Sequence, residues 1–146
     1  MERTKRLTPE ALCIELKATL RHGARASRLL RYRPELVELL LPKAEHLDLT
    51  EADRAVRVEQ LIRQAIENIG GPEAEALLIL FCLKPGTTGM NLETRRQHAA
   101  ELLGILPDTL RRERHEGLLL WDVAVEVYAP LPKSLGRVMS TIQVSN

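Results

Sequence analysis

LETRRQHAAELLGILPDTLRRERH, residues 92–115, is the stretch on which the fold is decided. A helix, a tight turn and a second helix impose steric demands that show in sequence. The first helix needs a small side chain where the second crosses it, and Ala100 supplies one. The turn needs a residue that accepts positive φ, and Gly104 stands four positions later. Ala99, Leu103, Ile105 and Leu110 fall where inward-facing anchors belong. Pro107-Asp108-Thr109 brings a proline and an acid to the first turn of the second helix. The reading is a helix-turn-helix over about 92–115.

Such a unit suggests contacts to double-stranded DNA. The second helix is expected to expose Asp108, Thr109, Arg111, Arg112 and Arg114, and Arg95 and Arg96 on the first helix complete the set. Arginine suits both targets, phosphates and the guanine edge in the major groove. Two positions depart from the pattern. Leu106 has no oxygen to cap the second helix, a loss of about 1 kcal/mol. Glu113 stands where that helix normally buries an apolar residue, so its charge must reach solvent or a partner. A short or tilted second helix is expected.

AAELLGILPDTLRR, residues 99–112, resembles the Ala-Ala-x-x-Leu-Gly-Val-Ser-Pro-x-Thr-Leu-Arg-Arg pattern of bacterial helix-turn-helix regulators and of the DNA-reading part of sigma factors. PEAEALLILF, residues 72–81, resembles the helix that precedes this motif in sigma factors. Residues 55–128 are similar to small regulatory modules frequent in actinobacterial proteins. The first likeness implies a DNA-binding transcriptional regulator. The last implies the alternative, a helical protein-interaction or adaptor module of a bacterial signalling or defence system, without DNA binding.

Working outward, Thr8-Pro9-Glu10 predicts a helix over about 9–22, closed by Gly23. Residues 24–33 carry four arginines and read as a short helix or a turn. Arg21, Arg25 and Arg28 would share a helical face as a backbone clamp, with Arg31 and Arg33 beyond them. Pro34 opens a brief apolar helix closed by Pro42. Thr50 followed by Glu51 and Asp53 caps a long amphipathic helix that runs to Gly70-Gly71-Pro72.

The apolar run after Pro72 reads as a central helix, with a strand as the competing reading of LLILFCL. KPGTTGMN, residues 84–91, lacks the Gly-Lys-Ser/Thr end of a phosphate-binding loop and reads as a plain turn. Glu116-Gly117 is expected to end the second helix of the motif. LLLWDVAVEVY then forms another helix, packing Leu118, Leu119, Trp121, Val125 and Tyr128 inward, or a two-stranded wing, since Val123, Val125 and Val127 alternate.

Composition fits this picture. Apolar residues make up 45% and charged residues 28% of 146, an ordinary globular balance dominated by helix-forming Leu and Ala. The expected fold is therefore all-α, a multi-helix single domain over residues 1–128 with a loosely ordered tail at 129–146. Lys and Arg number ten against six acids in residues 1–46, four against seven in 47–90 and seven against seven in 91–146. The cationic excess is N-terminal, and residues 91–146, which contain the motif, are balanced.

Cys13 and Cys82 stand in apolar stretches without metal-ligand spacing, so both read as reduced core thiols. His22, His46, His98 and His115 fall on different expected elements with no paired carboxylates or cysteines beside them. We expect no enzyme, no metal and no cofactor. No stretch approaches the roughly 20 apolar residues of a membrane span, and no apolar signal core follows the basic N-terminus. A cytoplasmic protein is expected, with arginine far outnumbering lysine as in GC-rich bacteria. DNA, a protein partner or a second copy of the chain are the candidate partners.

Overall fold

A computed structural model describes residues 6–131, and among them every regular element is helical. The order is α1 (Pro9–Thr19), α2 (Ala26–Tyr32), α3 (Pro34–Leu40), a 3₁₀ turn (Lys43–Glu45), α4 (Glu51–Ile69), α5 (Gly71–Leu80), α6 (Leu92–Leu103), α7 (Pro107–Leu110), a π turn (Glu113–Gly117) and α8 (Leu118–Tyr128).

Local chemistry sets most of the starts. The Thr8 hydroxyl accepts from Ala11 N at 3.0 Å, with Pro9 supplying the first helical φ of α1. Thr50 and Asp53 form a reciprocal capping box at α4, each side chain accepting from the other's backbone N–H at 3.0 and 3.1 Å. Asn91 caps α6 by accepting from Thr94 N at 2.8 Å.

Helix α1 stops at Thr19, short of the expected 22, and the Thr19 carbonyl takes the His22 and Gly23 amides. Gly23 has φ +89°, and a β-carbon there would lie 2.6 Å from the Cys82 Cβ. The glycine thus lets the α1–α2 link press against the end of α5, where Ala24 N donates to Phe81 O at 2.8 Å.

One continuous apolar cluster spans the chain. The inward side of α4 (Ala55, Val58, Ile62, Ala65, Ile66) meets α2 and α8, α1 lies along α8, and α5 packs on α6. The run after Pro72 is helical, so the strand alternative for LLILFCL falls away: Ala76, Leu77 and Leu80 are buried on α5 before the chain turns at Phe81. Segment 118–128 is a helix and not a wing. It buries Leu120, Val123, Ala124 and Val127; of the residues expected inward, Leu118 is 57% and Val125 38% exposed, while Leu119, Trp121 and Tyr128 are half-buried. The face that packs is therefore rotated from the expected one. Leu131 is buried against the core, while Ala129 and Pro130 are exposed, and positions 132–146 of the expected tail lie outside the described residues.

Candidate functional site

The α6–α7 unit begins as its sequence implies. Ala99 and Ala100 are fully buried. Gly104 follows α6 in the left-handed region at φ 74°, ψ 28°. Its N–H donates to Glu101 O at 3.1 Å and the next amide, Ile105, reaches back to Ala100 O at 3.0 Å. These two bonds form the Schellman closure of a helix. No atom lies within 4 Å of where a β-carbon on Gly104 would stand, so the glycine is required by its φ and not by a close neighbour.

Beyond the turn the structure departs from the sequence pattern. Leu106 precedes α7 in an extended conformation with no capping oxygen, and α7 is a single turn, Pro107–Leu110. Arg111 keeps helical angles, but Arg112 is extended (φ −70°, ψ 150°) and ends the run. The expected second helix to residue 115 does not form. Instead Glu113–Gly117 makes a π turn that continues directly into α8, with Gly117 at helical angles. Glu116-Gly117 is thus a junction and not a helix end.

The physical cause lies in α6. Arg96 Nε and Nη2 meet Glu116 Oε2 and Oε1 at 2.8 and 2.9 Å, a bidentate pair in which the carboxylate is buried. Seating Glu116 there draws residues 113–117 toward α6 and away from a straight continuation of α7. Glu113 is exposed and reaches Lys17 on α1 at 3.4 Å, so its charge escapes to the surface.

The candidate contacts divide accordingly. Arg95 is only 2% exposed, and its guanidinium donates to Met90 O at 3.2 Å, to Leu80 O and to Arg21 O at 3.1 Å. Burial pushes it down from the ordinary guanidinium range. Placing it among phosphate contacts is corrected: it holds backbone together. Arg96 is committed to Glu116. Arg111, Arg112 and Arg114 are exposed without an ion pair among the described residues, Asp108 is exposed and Thr109 half-buried. A cleft of about 450 Å³ opens between the two helices, lined by Glu93, Arg96, Gln97, Leu106, Asp108 and Arg111. Leu106 stands 71% exposed at its lip.

The N-terminal arginines do not form one helical face. Arg21 and Arg25 lie in or beside the α1–α2 link, and Arg25 Nε donates to Cys82 O at 2.9 Å. Arg33 pairs with the buried Glu15. Arg54 is a buried cation that sequence reasoning missed. It donates to Leu41 O at 2.8 Å and meets Glu38 at 3.1 Å. Cys82 is buried with Sγ against Thr87 O, and burial raises the half-buried Cys13 thiol above its ordinary range, helped by Glu113.

Among the described residues no group of three His, Cys, Asp or Glu side chains is placed to hold a metal, and no helix is long and apolar enough to cross a membrane. No protein-family model matches the chain, and no curated protein or solved structure matches it either.

Proposed function

We propose that the chain is a helical protein-interaction module of the adaptor kind used in bacterial signalling or defence, docking a partner through α6, α7 and the π turn. The observation that carries this reading is Leu106, an apolar side chain 71% exposed beside the cleft that Arg111 and Asp108 also line. Apolar side chains mixed with arginine and rimmed by polar groups are the makings of a protein interface. With Arg95 and Arg96 committed internally, the remaining cations suit a partner segment that places carboxylates around an apolar residue.

In this reading α6, Gly104 and α7 keep a helix-turn-helix outline as a scaffold, while the one-turn α7 is too short to lie along a major groove. A photo-crosslinking amino acid at position 106, in the cells the protein comes from, tests it. The expected product is a discrete protein adduct that resists nuclease and disappears with Arg111→Glu/Arg112→Glu.

Duplex DNA is the second reading, that of a transcriptional regulator. It is favoured by Arg111, Arg112 and Arg114 standing exposed just past the turn. A nuclease-sensitive adduct from position 106, lost in the same double variant, would replace the first reading with this one.

A further inference from the structure

Cations gather at the corner where α1 passes into α2. Arg21 follows α1, and Arg28 and Arg31 stand three apart on α2, on one side of that helix. Arg21 and Arg31 are exposed and Arg28 half-buried, and none of the three makes an ion pair among the described residues. The carboxylates of neighbouring elements are otherwise engaged. Glu15 and Glu35 meet Arg33, and Glu59 accepts from Ala26 N at 2.7 Å and from Arg63 at 2.8 Å.

Within this corner two rings are stacked. The His22 and Tyr32 centroids lie 3.8 Å apart at 10°, and the Arg31 guanidinium carbon sits 5.3 Å from the Tyr32 centroid. Burial first, then Arg21, Arg28, Arg95 and Arg33, hold the imidazole below its ordinary range. Every charged group acting on it is a cation.

We propose that this corner binds the phosphodiester backbone of duplex nucleic acid, with Arg21, Arg28 and Arg31 as the phosphate contacts. Guanidinium groups match phosphate with paired, planar hydrogen bonds. Like charges held together without counter-charges repel one another, and a polyanion relieves that repulsion. The stacked rings back Arg31, whose guanidinium carbon lies over Tyr32. Lipid headgroups offer the same phosphate chemistry, but the exposed apolar residue of α2, Leu30, lies about 160° around the helix from Arg28. Cations and apolar side chain do not face a bilayer together. Contacts of this kind position a duplex without reading its sequence. The site shares no residue with those lining the α6–α7 cleft.

The test titrates the full chain against a fluorescein-labelled 20-base-pair duplex across a salt series. Three phosphate contacts give a slope of log K on log salt of about −2.7. Arg21→Gln/Arg28→Gln/Arg31→Gln is expected to weaken binding at low salt about tenfold or more and to flatten the slope. The exposed pair alone, Arg21→Gln/Arg31→Gln, avoids any folding question and should remove about two-thirds of the slope. Arg111→Gln/Arg112→Gln/Arg114→Gln should leave it unchanged. By NMR the His22 pKa should rise when duplex binds, since phosphates cancel the cations around it. The proposal is overturned by absent binding at low salt, by an unchanged slope in the Arg21/Arg31 variant, by loss of binding only in the Arg111 set, or by phosphatidylserine vesicles that displace the duplex at equal phosphate.

Discussion

Arg96 clasps Glu116 through both carboxylate oxygens, and this pair joins α6 to the π turn that leads into α8. The carboxylate is almost wholly out of water and its partner largely so, which makes each half costly to leave alone. Arg96→Met is therefore expected to destabilise the fold by about 3–5 kcal/mol. Replacing both partners, Arg96→Met with Glu116→Leu, should recover most of that loss. Urea denaturation of the two single variants and the double variant measures it.

Arg95 does a different job beside it. Arg95→Leu strips donors from the carbonyls of Leu80, Met90 and Arg21 at once, and the buried Leu80 carbonyl left without a donor costs about 1–3 kcal/mol, the two part-buried ones less. A loss of about 2 kcal/mol or more is expected in chemical denaturation. A variant as stable as the parent would show that the guanidinium is dispensable there.

Gly104 turns the chain at φ 74° with open space around it. Gly104→Ala should cost about 1–2 kcal/mol from the left-handed backbone alone, and Gly104→Asn less, because asparagine tolerates that region. Thermal melts of both variants check the order. Equal melting temperatures would mean the turn relaxes freely.

The bounds of α4 were legible because their signals are local. Thr50 and Asp53 announce the start of α4 within four residues, and Gly70-Gly71-Pro72 its end. Gly104 was legible for the same reason. The course of residues 111–117 was not, because it is set by Arg96 reaching Glu116 twenty residues on. Arg95 reads as a surface arginine in sequence. Its acceptors sit on segments that only the folded chain brings together, and no short-range pattern marks a guanidinium destined for backbone carbonyls. The packing face of α8 failed for a related reason. That helix is apolar nearly all round, so the choice of buried side fell to its neighbours α1 and α4.

Capping chemistry gives a smaller effect. Thr50→Ala removes the oxygen that accepts from Asp53 N and should cost about 1 kcal/mol. The Asp53 carboxyl is held below its ordinary range first by the Thr50 backbone N–H, which the variant keeps, and then by the Thr50 side chain, so only the smaller part of that lowering should be lost. NMR titration of the Asp53 carboxyl, expected to move upward in the variant, checks the second part.

His22 sets a pH dependence. Burial and four guanidinium groups depress its pKa in the folded state, so the unfolded chain binds the proton more readily. Its contribution to stability is complete above the unfolded value of about 6.5 and is lost as pH falls through the folded value. His22→Gln should flatten the stability profile over that acid window, measured by denaturation between pH 5 and about 7.5. An unchanged slope would show that His22 titrates alike in both states.

The three acceptors of Arg95 belong to the end of α1, the end of α5 and the loop leading into α6. Segments stapled by one side chain cannot fray independently, since freeing any of them strands the hydrogen bonds of the other two. Amide exchange in α1, α5 and α6 should accordingly slow to a common rate and rise together under mild denaturant, one cooperative opening for three of the eight α-helices among the described residues.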